Sequence, residues 1–181
     1  MQLLMEGWFW TMIQAFAVIV TLALIYTQVR IQTSSHVVQT LQAIHARWTE
    51  EPMRWARFTV CTRYLDGKFV FEGEAEYIAG FLEELGGYIK INAVTPDVMW
   101  DAESWVIEHY YCMFKSGIEK CRLTFHDEKL YENTESLFQV VYEHSKRRGA
   151  TSSQRGDEDL RRFAEYEVQV TRPFLPLQES K

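Results

Sequence analysis

Residues 7–29 read GWFWTMIQAFAVIVTLALIYTQV, twenty-three consecutive positions without a charged side chain. As a helix, at about 1.5 Å of rise per residue, this run reaches roughly 34 Å, enough to cross a hydrocarbon layer of about 30 Å. Its aromatic residues stand at the ends. Trp8 and Trp10 on one side and Tyr26 on the other occupy the levels where amphipathic rings meet lipid headgroups. Thr11 and Thr21 can return their hydroxyls to the preceding turn, whereas Gln14 either snorkels to the near interface or hydrogen-bonds across a helix pair. A buried core helix is the competing reading, but the run is longer than a small domain usually encloses. A cleaved leader fits poorly, because the first seven residues hold one glutamate and no lysine or arginine.

The flanks set the expected orientation. Arg30 follows the run directly, with Arg47, Arg54 and Arg57 beyond it, while Glu6 is the charge on the other side. Cations gather on the cytoplasmic side of spanning helices, so the N-terminus is expected outside and the remaining chain inside. The fold class predicted is all-α: a transmembrane anchor at 1–30 continuing into a cytoplasmic helical bundle. That domain is expected over 31–149, with a juxtamembrane stalk at 31–49. Residues 150–181 read as a linker, a short helix and a tail.

From Phe16 to Thr33 the chain reads FAVIVTLALIYTQVRIQT. The passage resembles the N-terminal signature of a large bacterial family known only as a domain of unknown function. There an apolar span with Val-Thr-Leu and Ile-Tyr leads into Gln-(Ile/Val)-Arg-x-Gln-Thr and then a soluble helical domain. Val20-Thr21-Leu22, Ile25-Tyr26, Gln28-Val29-Arg30 and Gln32-Thr33 carry the match, with Ala23-Leu24 inserted after the first block. The later rhythm of Trp48, Pro52, Arg57, Leu82 to Gly86 and Trp105 to Tyr110 is similar to the same family. The resemblance implies a single-pass protein of a bacterial inner (cytoplasmic) membrane and, since the family has no established activity, adds nothing about catalysis.

Composition bounds the rest. The 181 residues, less an anchor and a tail, suffice for one compact domain. With 47% hydrophobic and 14% aromatic residues the chain is rich enough to pack a core, far from a disordered composition. The net charge of −6 argues against nucleic acid as a partner, since phosphate binding rests on many lysine and arginine contacts. Charge is also segregated: Arg30 to Arg63 holds five basic and two acidic residues, and Asp66 to Glu108 holds two basic and ten acidic ones. Cys61, Cys112 and Cys121 show no CxxC or zinc-type spacing and read as reduced, buried thiols.

Helix signals follow one another along the cytoplasmic part. Val37, Leu41, Ile44 and Trp48 recur at spacings of four, three and four, a heptad-like seam for packing on the chain's own domain or for self-association. Pro52, with Thr49 or Glu50 as cap, opens a helix with Met53, Ala56, Val60 and Tyr64 inward, ended by Asp66-Gly67. A third begins near Gly73 with Ala75, Ile78, Leu82 and Leu85 inward. At Gly86-Gly87 it either stops or admits a close neighbour, and the apolar pattern resuming at Tyr88, Ile89 and Ile91 favours continuation. Thr95-Pro96-Asp97 starts the most aromatic helix, through Trp100, Trp105, Tyr110, Phe114 and Ile118 to Leu123. After a break at His126-Asp127, another carries Leu130, Leu137, Val141 and His144 and closes at Lys146–Gly149. Beyond the linker at 150–156, Asp157 caps a last helix with Leu160, Phe163, Ala164 and Val168, which Pro173 and Pro176 stop. Strand-like alternation is confined to Lys68–Phe71.

Signatures of chemistry are sparse. The chain has no GxGxxG, Walker A, GxSxG, HExxH or EF-hand motif. A carboxylate-bridged di-iron bundle needs Glu-x-x-His pairs, yet Thr33, Gln42, Val106, Leu123 and Val141 precede the five histidines by three. Glu108, His109 and Cys112 lie within about one helical turn and are the metal or thiol candidates, against the commoner reading of a hydrogen-bonded core histidine. In His126-Asp127-Glu128 the acids read as an N-cap and first turn. Arg47, Arg54, Arg57 and Arg63 suit anionic headgroups or an acidic partner, or pairing with Glu50, Glu51 or the acidic middle segment.

The expected function is a membrane-tethered helical interaction or regulatory module without catalysis and without a cofactor. Its partners would be the bilayer and a protein partner or a second copy, the latter through Val37, Leu41, Ile44 and Trp48. Arg47, Arg54, Arg57, Trp8, Trp10 and Gln14 are the lipid- or partner-facing candidates. The alternative is an oligomerising membrane-acting effector or toxin, suggested by Gln14 and the heptad seam. A metal-dependent enzyme built on Glu108, His109 and Cys112 ranks third.

Overall fold

The computed structural model describes residues 2–149 and 156–172. Among them are six α-helices and no strand: α1 (Gln2–Thr49), α2 (Glu51–Leu65), α3 (Glu74–Lys90), α4 (Pro96–Phe125), α5 (Glu132–Arg147) and α6 (Asp157–Thr171). The all-helical expectation is met. The chain divides into two compact units, 1–42 and 43–181.

The first unit is the N-terminal part of α1. One helix among the described residues is long and apolar enough to cross a membrane: Trp8–Val29, 22 residues with mean hydropathy 2.0, none of it buried. Two of its hydroxyls are satisfied locally, Thr21 donating to the Ala17 carbonyl at 2.9 Å and Thr27 to that of Leu24 at 2.8 Å. Threonine thus enters an apolar run without an orphaned donor.

The second unit packs the last turns of α1 with α2 to α6. Glu50, extended at φ −63° and ψ 150°, turns the chain into α2, and Pro52 sits in the first turn, where its missing N–H costs nothing. Met53, Ala56 and Val60 are buried, and Tyr64 is half-buried. Asp66 and Gly67, the latter at φ 69°, end the helix. Lys68–Val70 forms no strand; Phe69 and Phe71 instead lay their rings against Phe114 of α4.

α3 runs unbroken through Gly86-Gly87, with Ala75, Ile78, Leu82 and Leu85 buried. The two glycines differ in purpose. A Cβ on Gly86 would collide with the Asn133 backbone at the start of α5, while one on Gly87 would meet nothing. A missing side chain therefore lets α3 and α5 approach closely. α3 also caps its neighbour: the Glu83 carboxylate accepts from the Asn133 and Thr134 amides at 3.2 and 2.8 Å and from the Thr134 hydroxyl at 3.0 Å. Two donors at a helix N-terminus, left open by helical geometry, are filled from another element.

Several local expectations shift. Thr95 stands at the N-cap of α4, but its side chain makes no capping bond. Along α4, Tyr110, Phe114 and Ile118 are buried, whereas Trp105 and Leu123 are exposed. His126 ends α4 in the left-handed region, and Asp127 accepts from the Lys129 amide at 2.9 Å within a turn. Asp127 and Glu128 are therefore turn residues, and α5 begins four residues later. Cys61 is buried, but Cys112 and Cys121 are half-buried, and all three are free thiols. The linker read at 150–156 lies, except for Gly156, outside the described residues, as do Pro173 and Pro176. α6 itself packs on α2 and α4 within the second unit. The apolar stripe Leu160, Phe163 and Ala164 is buried there, so α6 completes the core.

Candidate functional site

Four helices of the second unit converge on a buried polar cluster. Arg57 and Cys61 are one turn apart on α2 and share a face. Tyr110 comes from α4, Glu167 from α6, and Trp48 from the end of α1. The Arg57 guanidinium donates from Nε to Glu167 Oε2 at 2.7 Å and from Nη2 to Oε1 at 2.9 Å, a bidentate pairing. Its Nη1 donates to the Trp48 carbonyl at 3.3 Å, and its Cζ lies 4.1 Å from the centroid of the Trp48 ring. The Tyr110 hydroxyl donates to Glu167 Oε2 at 3.0 Å and lies 3.6 Å from Cys61 Sγ. Arg57 is 7% exposed and Glu167 1%, so water screens neither charge.

Burial decides the protonation of the neighbours. It pushes the Cys61 thiol up to about 12, with the Glu167 charge adding to the effect. Burial also holds the Tyr110 phenol well above its ordinary range, assisted by Cys61 and Glu167. Desolvation alone would lower the Arg57 value, but the hydrogen bonds and charge of Glu167 outweigh it and the net shift is upward. Half-buried Glu103 sits at the edge of the cluster, its carboxyl raised mainly by burial and held down by the charges of His45 and Arg57. At neutral pH the thiol and phenol are therefore protonated and the Arg57 guanidinium is charged. A protonated thiol is a poor nucleophile, and Arg57 is bound on three sides. The cluster fastens α6 and α1 to α2 and α4.

The sequence candidates are distributed differently. Glu108 and His109 are both buried but serve different neighbours: Glu108 accepts from the Ser145 hydroxyl of α5 at 2.7 Å. His109 reaches the Trp105 carbonyl through Nδ1 at 2.5 Å, and its Nε2 lies 3.4 Å from Asp159 of α6. Its ring stacks on Phe163 at 4.6 Å. Cys112 is half-buried on the same helix. Among the described residues no group of three or more His, Cys, Asp or Glu side chains is placed to hold a metal ion.

Arg57, read as lipid- or partner-facing, is a core residue, because its matching carboxylate arrives from α6. Arg47 pairs with Glu84 of α3 and lies over the Phe81 ring. Arg54 is half-buried. Trp8, Trp10 and Gln14 are exposed in the first unit. The seam also divides: Ile44 and Trp48 are buried in the second unit, Trp48 stacking on Phe81 at 5.3 Å, whereas Val37 and Leu41 are half-buried.

Glu167 and Glu83 escaped the sequence reading. Glu167 had a legible signal, since it lies on the stripe of Leu160, Phe163, Ala164 and Thr171, and an acid on an apolar stripe requires a buried partner. Glu83 had none, because its service to α5 depends on the helix crossing at Gly86. Comparison with known proteins returns no matching family, no matching curated protein and no matching solved structure.

Proposed function

We propose that this chain is a single-pass, membrane-tethered helical interaction module, with residues 8–29 in the bilayer and the unit 43–181 in the cytoplasm. The observation that carries the reading is the helix Trp8–Val29, exposed on every side, uncharged and with mean hydropathy 2.0. A helix apolar all round is stable inside a protein core or in lipid, and this one has no core about it. Arg30, Arg47 and Arg54 on its C-terminal flank, against Glu6 on the other, support the cytoplasmic placement. The signature Val20 to Thr33 supports the same architecture. Tethering raises the concentration of the domain for partners at the membrane without any new contact.

The surface of the second unit supports the interaction part. A groove of about 620 Å³ lies between the loop at Phe69–Glu72 and the C-terminal half of α4, edged by exposed Val70 and Phe125 with Lys120 and Glu76 alongside. Concave apolar surface with a few charges beside it seats apolar side chains of a partner. The test is twofold. A fluorescent protein fused after Lys181 is expected to fluoresce, and a periplasm-dependent phosphatase at the same point to stay inactive; the reverse pattern excludes a cytoplasmic domain. In-membrane crosslinks formed by the wild type are expected to be lost on Phe125→Asp. Dye release from liposomes by the purified chain would replace the module with the oligomerising effector that exposed Gln14 suggests.

A further inference from the structure

The span Trp8–Val29 holds five threonine and glutamine side chains, and four of them recur on one line. Thr11, Gln14, Val18, Thr21, Ile25 and Gln28 follow one another at spacings of three, four, three, four and three. Residues so spaced share one narrow stripe of a helix, the two inward positions of a heptad. Every other position between Trp8 and Val29 is apolar or aromatic except Thr27, whose hydroxyl is returned to the Leu24 carbonyl at 2.8 Å. The stripe is exposed along its length. Its period continues past the span through Gln32, Ser35, Gln39 and Gln42, all exposed. No position of this line is charged, so two copies of it meet without repulsion.

The domain's own packing uses the other side of α1. In the second unit Ile44 and Trp48 are buried, whereas Ala46 and Thr49, the next positions on the period of the stripe, are exposed. From Ile44 to Ala46 is about 200° round the helix axis.

In hydrocarbon a carboxamide needs a partner. Gln14 lies about 9 Å of helix beyond Trp8 at about 1.5 Å per residue, deeper than its side chain extends. It both donates and accepts, and the backbone of its own helix is already paired. A second copy inserted in the same orientation presents its own Gln14 at the same depth, and Thr21 beside Thr21 further in. Self-pairing thus supplies donors and acceptors at each polar level of the stripe. Val18 and Ile25 fall at alternate inward positions, where β-branched residues favour two strands in parallel coiled coils. A stripe this narrow is covered by one facing helix and leaves no polar wall for an aqueous pore.

We propose, resting on the placement of residues 8–29 in the bilayer, that the stripe from Thr11 to Gln28 is the seam of a parallel dimer with a second copy of this chain. The period of 3.5 residues, kept along the span, winds the two helices into a left-handed supercoil.

The experiment introduces single cysteines into the full chain in native membranes, oxidises them with copper phenanthroline and locates each disulfide by mass spectrometry after digestion. A disulfide joining a position to itself forms only between copies. Thr21→Cys and Ile25→Cys, on the stripe, are expected to give this product at least several-fold more than Val20→Cys and Ala23→Cys, off it. In the Ile25→Cys chain, Gln14→Leu is expected to lower the yield several-fold and Gln14→Asn to keep most of it, while both variants still float with lipid. Equal yields round the helix, no such disulfide, linkage to a different protein instead, or indifference to Gln14→Leu overturns the seam while the chain floats with lipid. A wild-type chain absent from the floating fraction overturns the bilayer placement and the seam with it.

Discussion

Glu167→Ala removes both carboxylate oxygens that hold the Arg57 guanidinium, at 2.7 and 2.9 Å, and the acceptor of the Tyr110 hydroxyl at 3.0 Å. Water cannot take their place where Arg57 is 7% exposed. Stranding one member of a buried ion pair costs about 3–5 kcal/mol, and the orphaned phenol adds roughly 1 kcal/mol. Trp48 does not relieve the loss, since its ring and carbonyl keep the cation in the interior without neutralising it. Against an ordinary total of about 5–15 kcal/mol, this removes a large share of stability. At about 2–4 °C per kcal/mol for a domain of this size, the midpoint falls by roughly 10 °C or more. The partner variant, Arg57→Met with Glu167→Leu, removes both charges and refills the space, and is expected within about 2 kcal/mol of wild type or above it. Urea unfolding of the full chain in detergent, read by tryptophan fluorescence, measures both. A loss below about 1 kcal/mol for Glu167→Ala, the worth of an exposed pair, would refute the reasoning. So would a double variant as damaged as the single one.

Gly86→Ala drives a methyl group into the Asn133 backbone and is expected to cost about 1–3 kcal/mol in urea. Gly87→Ala, in open space on the same helix, is expected to gain up to about 1 kcal/mol, and equal effects would remove the close approach of α3 and α5. Glu83→Ala strips the cap from α5 at a cost of about 1–2 kcal/mol, read most directly as faster hydrogen exchange at the Asn133 and Thr134 amides. Stability should also fall in alkali. The folded Cys61 thiol is raised from 9.0 to about 12, so its contribution is complete below pH 9 and is lost as pH climbs through that window. Cys61→Ala should flatten this limb of a pH titration, and an unchanged slope would count against burial as its cause.

Much of the fold was legible because apolar spacing reports a helix directly. Met53, Ala56 and Val60, and likewise Ala75, Ile78, Leu82 and Leu85, face inward as their spacing requires, and the passage through Gly86-Gly87 followed from the apolar pattern beyond it. The polar cluster was not legible in the same way. Arg57 and Glu167 are 110 residues apart, and nothing local to Arg57 separates a buried cation from a surface one. Nearby Glu50 and Glu51 offered equally good partners on paper, and only the docking of α6 on α2 selects Glu167. Glu108, His109 and Cys112 illustrate the same limit. They fall within one turn, yet one short arc of a helix faces α5 at Glu108 and α6 at His109.

The most direct test is whether the full-length chain stays in the membrane pellet through an alkaline carbonate wash and then floats with lipid in a sucrose gradient. Retention is expected for wild type, and release for Val20→Arg, whose charge at mid-span costs about 2.5–3.5 kcal/mol of insertion. Recovery of the wild-type chain in the soluble fraction, or flotation indifferent to that arginine, would contradict a bilayer-spanning helix.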